Sequence, residues 1–129
     1  MKFSLKSLLL TSCLPFMAAC ASAEFPQSGT PSPYDGMWSA QLPADRTVCD
    51  GIESKFEIRY GMVIGTVTEK GRRIADIWGQ LDEKGHLEGL IGQLGITGAT
   101  ASVNFQPNSA SGTWKNKSCD GTVSAQKTG

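Results

Sequence analysis

Lys55-Phe56-Glu57-Ile58-Arg59-Tyr60 is the stretch that decides the fold. Apolar and charged residues alternate, with Phe56, Ile58 and Tyr60 on one face and Lys55, Glu57 and Arg59 on the other. A period of two is that of a half-buried β-strand, because successive side chains of an extended chain point to opposite sides. The charged outer set argues against a membrane-spanning barrel, whose strands turn an apolar band toward lipid.

Working outward, turn signals recur at short intervals. Gly61 leads into residues 62–69, Lys70-Gly71 into 73–81, the Asp82-to-Gly85 segment into 86–94, and Gly95 into 96–106. Pro107-Asn108 breaks that last run, and residues 110–115 and 119–126 complete the series. Residues 36–42 supply the first strand, with Trp38, Ala40 and Leu42 sharing a face. Strands at this spacing suit a barrel or a sandwich. Gly65, Gly79, Gly89, Gly98 and Gly112 fall inside strands, where glycine permits the sharp coiling of a narrow closed barrel. The expectation is an all-β fold, a small antiparallel up-and-down barrel of about eight short strands, near the smallest number whose interior side chains can fill.

The N-terminus reads as an address. Lys2 and Lys6 precede an apolar run over residues 7–19, the build of a secretory signal peptide and too short to span a bilayer, which needs about 20 apolar residues. Met17-Ala18-Ala19-Cys20 resembles a lipobox, which would end the signal peptide at residue 19 and leave Cys20 lipidated. Ala21-Ser22-Ala23 fits ordinary cleavage, which would end it at residue 23 and release a soluble periplasmic or secreted protein. The Pro, Ser and Gly-rich segment 24–33 favours the lipid anchor, because an anchored domain needs a tether. The expected organisation is therefore a signal peptide, a flexible tether over 20–33 and a β-domain over 34–129. Ala21 and Ser22 beside the cysteine resemble those of lipoproteins sent to the outer membrane, facing the periplasm.

Export also explains the cysteines. Cys13 leaves with the leader and Cys20 is lipidated or removed, so Cys49 and Cys119 remain together in an oxidising compartment. The spacing is not that of a redox pair, and no histidine lies near to complete a zinc site. A structural disulfide is expected, joining the end of the first strand to the start of the last, which are neighbours in a closed meander.

Of the twelve Lys and Arg, Lys2 and Lys6 belong to the leader, leaving ten against twelve acids, a charge near −2 for the exported part. That excludes the basic face of a nucleic-acid binder and a polybasic membrane surface, so contact with the membrane is expected only through the lipid anchor. No metal, cofactor or nucleophile motif is present. His86 is the only histidine; Glu88 shares its face, and it reads as a solvated turn residue.

Gly36-Met37-Trp38 resembles the G-x-W opening of the calycin barrels, which include lipocalins, avidins and bacterial metalloprotease inhibitors. The resemblance implies that Gly36 and Trp38 close one end of a barrel. The inhibitors are similar in size, have one disulfide and carry an N-terminal tail that enters the protease; their second cysteine comes much sooner than Cys119. The chain also resembles small bacterial envelope and lipoprotein domains that open with D-G-x-W and close with G-T-W and C-x-G, here Asp35 to Trp38, Gly112 to Trp114 and Cys119 to Gly121.

Trp38 and Trp114 are read as barrel-end packing. Trp78 shares a face with Asp76 and Gln80, and with Arg72 and Arg73 it forms the candidate binding surface. The function expected is that of a non-enzymatic, monomeric envelope binding module for an envelope protein or small ligand, without cofactor. The alternative is a periplasmic inhibitor of a protease or lysozyme that uses its tail.

Overall fold

Each strand pairs antiparallel with its neighbour in sequence, and the last returns to pair with the first. The computed structural model describes residues 24–93 and 96–129; residues 1–23, on which the expected signal peptide and lipidated Cys20 fall, and residues 94–95 lie outside the described residues. The strands are β1 (Gly36–Gln41), β2 (Ile52–Arg59), β3 (Met62–Glu69), β4 (Arg72–Gln80), β5 (His86–Gln93), β6 (Ile96–Phe105), β7 (Ser109–Asn116) and β8 (Asp120–Lys127). One short 3-10 turn, Thr47–Cys49, lies between β1 and β2. The chain is an eight-stranded closed barrel, as the alternation in the sequence predicts. Strand limits differ from the sequence reading by a residue or so. β2 starts at Ile52, three residues before the Lys55–Tyr60 stretch, and Ser54 is buried.

Tight turns set the register. The β2–β3 turn is Tyr60-Gly61 and the β3–β4 turn is Lys70-Gly71, all four residues at positive φ. Two consecutive left-handed residues are the pattern of the type I′ hairpin, whose twist matches that of the strands.

Inward-facing residues fill the barrel. Trp38, Ile58, Val63 and Leu87 are the largest fully buried side chains. Trp38 stacks parallel to Phe56 at 6.2 Å and meets Phe105 edge-on at 4.9 Å. Its indole Nε1 donates to the Tyr34 carbonyl at 2.9 Å, so the one polar atom of the largest core residue is satisfied. Gly65 lies opposite Phe56, and a Cβ there would collide with Phe56 and with the Lys55 carbonyl. The aromatic core thus takes the space that a side chain on β3 would need. The interior cavity is about 20 Å³, room for about one water.

Two bulges break the alternation. Between β3 and β4 the register runs Val67↔Ala75 and then Thr68↔Arg73, leaving Ile74 as the extra residue. A bulge switches the side chains beyond it to the other face. Arg73 therefore joins Asp76 on the outer surface instead of following Ile77 and Ala75 inward. A second shift lies between β5 and β6, after Ile91.

Candidate functional site

With the interior filled, any ligand must meet the outer surface or the barrel ends. At one end Tyr34, Trp38 and Phe105 pack together, and Gly36 has φ +140° with no room for a side chain against the Gly129 carbonyl. At the other end Trp114 is buried and its Nε1 donates to the Pro43 carbonyl at 3.3 Å. The two tryptophans therefore serve opposite ends.

The Trp114 end carries the disulfide. Cys49 and Cys119 are joined across a sequence separation of 70, with Cα atoms 6.6 Å apart. The loop between β1 and β2 is also tied to β8 by backbone. Asp45 N–H donates to the Asp120 carbonyl at 2.9 Å, and the Asp45 carboxylate accepts from Asp120 N–H at 3.1 Å. Arg46 donates to the Ser118 carbonyl. This pinned loop presents Val48, 70% exposed.

The outer face of β3–β5 gathers most of the sequence-predicted binding residues. The register Ile64↔Trp78↔Leu90 places three large apolar side chains side by side across three strands, pointing outward. Leu90 is exposed, and Ile64 and Trp78 are half-buried against their neighbours. Arg73 flanks this row, bound to Asp76 at 2.5 Å, and on the far side Arg59 pairs with Glu57 at 2.7 Å. The arginines predicted beside Trp78 therefore separate. Arg73 is brought to the row through Asp76, whereas Arg72 stands at the hairpin tip, about 20 Å from Trp78 along the strand. Ile64 and Leu90 were not singled out in the sequence; pairing register, which a sequence does not display, is what unites them with Trp78.

His86 corrects a second reading. It is the first residue of β5 rather than a turn residue, and its ring, still partly exposed, is bonded on both sides. Nδ1 lies 2.8 Å from the Asn104 side-chain oxygen and Nε2 contacts the Glu88 carboxylate. Ser102 donates to the same carboxylate at 2.9 Å. The Asn104 bond first, then the Glu88 bond, raise the His86 pKa above its ordinary 6.5. The His86 and Ser102 bonds hold Glu88 below its ordinary 4.5. Both ring nitrogens face acceptors, which favours the protonated ring relative to a free imidazole, and the Ser102 proton is directed to Glu88. Among the described residues no three His, Cys, Asp or Glu groups are placed to hold a metal.

The segment before β1 lies on the barrel. The Arg59 guanidinium sits 4.7 Å from the centre of the Phe25 ring, and the Gly29 backbone approaches Tyr60. No family model matches the chain, and neither a curated protein nor a solved structure matches it.

Proposed function

We propose that this protein is a non-enzymatic binding module of the cell envelope, exported by the leader and anchored by lipid at Cys20, which engages a protein partner through the outer face of β3–β5. The observation that carries the reading is the in-register row Ile64–Trp78–Leu90. Cross-strand packing gives a monomer some stability from such a row, but an outward apolar patch with a polar rim is also what a protein interface is built around. Tryptophan at its centre is the residue type that most often dominates binding energy. The rim is supplied by Arg73–Asp76 and Glu57–Arg59.

Two further observations support this reading over its rivals. A cavity of about 20 Å³ argues against the ligand-in-barrel mode of lipocalins and avidins, since ligand pockets run to about 300 Å³ and more. The inhibitor alternative needs a projecting tail, and here Phe25 is held under Arg59. Nucleophilic catalysis by Ser102 would need its proton taken by a base, and Ser102 turns that proton to a carboxylate that His86 already occupies.

The test compares capture of envelope proteins by the full chain with capture by Trp78→Ala and Leu90→Ala variants. Both positions face outward, so the barrel persists. The reading expects one recurrent partner whose binding falls at least about tenfold in each variant. Undiminished capture in both would overturn it. Mass spectrometry of the N-terminal peptide tests the anchor: a diacylated Cys20 supports it, and a free amine on Glu24 contradicts it.

A further inference from the structure

The outer surface of a small barrel is convex, yet across β5–β8, beside the point where the disulfide-bonded loop attaches to Asp120, it holds an open groove of about 460 Å³, within the range of about 300–1,000 Å³ usual for ligand sites. Six of its nine lining residues carry hydrogen-bonding side chains, Glu88, Thr100, Ser102, Thr113, Lys115 and Asp120, and Ala101, Trp114 and Gly121 complete the lining. Cross-strand pairing sets them in rows, Thr100↔Lys115↔Asp120 and Glu88↔Ser102↔Thr113. The short Ser and Thr side chains form the floor and the longer charged ones the rim.

We infer that this groove is a binding site for a neutral polyhydroxylated ligand, a short saccharide. Three features of the site match that chemistry. First, the rim carries both signs: Lys115 stands opposite Asp120, and the Glu88 carboxylate is already bonded to His86. Such a site has no single-signed face to draw in an anion or a polycation. Secondly, Lys115 and Asp120 form no ion pair with each other among the described residues, so an ammonium donor and a carboxylate acceptor both stay open along the rim. Thirdly, the Glu88 carboxylate is fixed in place. His86 and Ser102 both bond to Oε2, which leaves Oε1 as a positioned acceptor, and Asn104 holds His86 from behind. A fixed carboxylate beside hydroxyls that can donate or accept is what vicinal sugar hydroxyls complement. The methyl groups of Thr100 and Thr113 can meet the C–H faces of a sugar ring.

This site is separate from the Ile64–Trp78–Leu90 row, and the two readings can fail independently because their readouts fall on different residues. The test is an NMR titration of the full, isotope-labelled chain with maltotriose and N-acetylchitotriose, and with glucose 6-phosphate as the charged comparison. The inference expects at least one neutral sugar to shift the amides of Thr100, Ser102, Thr113 and Lys115 at millimolar concentration. Glu88→Ala should weaken binding about tenfold, the loss of one charge-assisted hydrogen bond. Thr113→Trp, an exposed substitution that fills the groove, should abolish it. Absence of groove shifts with both neutral sugars overturns the inference, as does stronger binding of the phosphate sugar, or binding indifferent to Thr113→Trp.

Discussion

Asp35 holds the turn that begins with Tyr60. Its carboxylate accepts the backbone N–H of Tyr60 at 2.9 Å and of Gly61 at 3.1 Å, from 25 residues away. It also accepts the Ser32 hydroxyl at 2.5 Å. The left-handed Tyr60, at φ +54°, is a conformation that a bulky residue adopts only when its surroundings impose it. Burial alone would raise the Asp35 pKa; the bonds from Ser32, Tyr60 and Gly61 outweigh it and bring the carboxyl below its ordinary 3.8. A group with a depressed folded pKa contributes stability that is fully present above its unfolded value and is lost as pH falls through the folded one. Denaturant unfolding of the wild type should therefore show stability falling below about pH 4. Asp35→Asn should be less stable at neutral pH by about 1–3 kcal/mol and flatter in acid. Equal acid slopes in the two proteins would contradict this assignment.

Cys49 and Cys119 close most of the domain into one covalent loop. For a separation of 70 residues the chain-entropy model gives on the order of 4 kcal/mol, an upper figure. The pinned loop adds backbone bonds to β8, so a Cys49→Ser/Cys119→Ser double variant should keep the barrel while its unfolding midpoint drops by well over ten degrees. Denatured, non-reduced protein should show no free thiol from these positions. Two reactive thiols would be the opposing result.

His86 should titrate above its ordinary value. Its folded pKa is raised by Asn104 and Glu88, so the stability this contact contributes is present below about pH 6.5 and is lost as pH rises through the folded value. Proton NMR of the single histidine reads it directly. Asn104→Ala and Glu88→Gln should each move the midpoint back down. A wild-type midpoint at or below the ordinary value would show that the cluster does not form.

Most of the barrel was legible in the sequence because its strands obey a strict two-residue alternation, and the Lys55–Tyr60 stretch shows that with no ambiguity. The Cys49–Cys119 bridge was legible by elimination. The surface was less so. Arg73 lies outside because a bulge at Ile74 reverses its face, and nothing in Arg72-Arg73-Ile74-Ala75 announces a bulge. The Ile64–Trp78–Leu90 row and the His86–Glu88–Ser102–Asn104 cluster both depend on cross-strand register, in which residues 12 to 18 positions apart become neighbours. Glu88 beside His86 was visible as a same-strand pair; Ser102 and Asn104 come from β6 and could be found only once β5 and β6 were aligned.

Site-directed photocrosslinking tests the central claim most directly, since it asks the assembled envelope which face of the barrel is covered. A photoreactive residue placed at Leu90, beside Trp78, should give one discrete adduct in whole cells, and Ile64→Asp in the same chain should remove it. The same photoreactive residue at Ser124, on the outward polar face of β8, should give none. An adduct from Ser124 with none from Leu90, or no adduct at Leu90 in cells that carry the protein at its normal level, would contradict the assignment of the β3–β5 face as the binding surface.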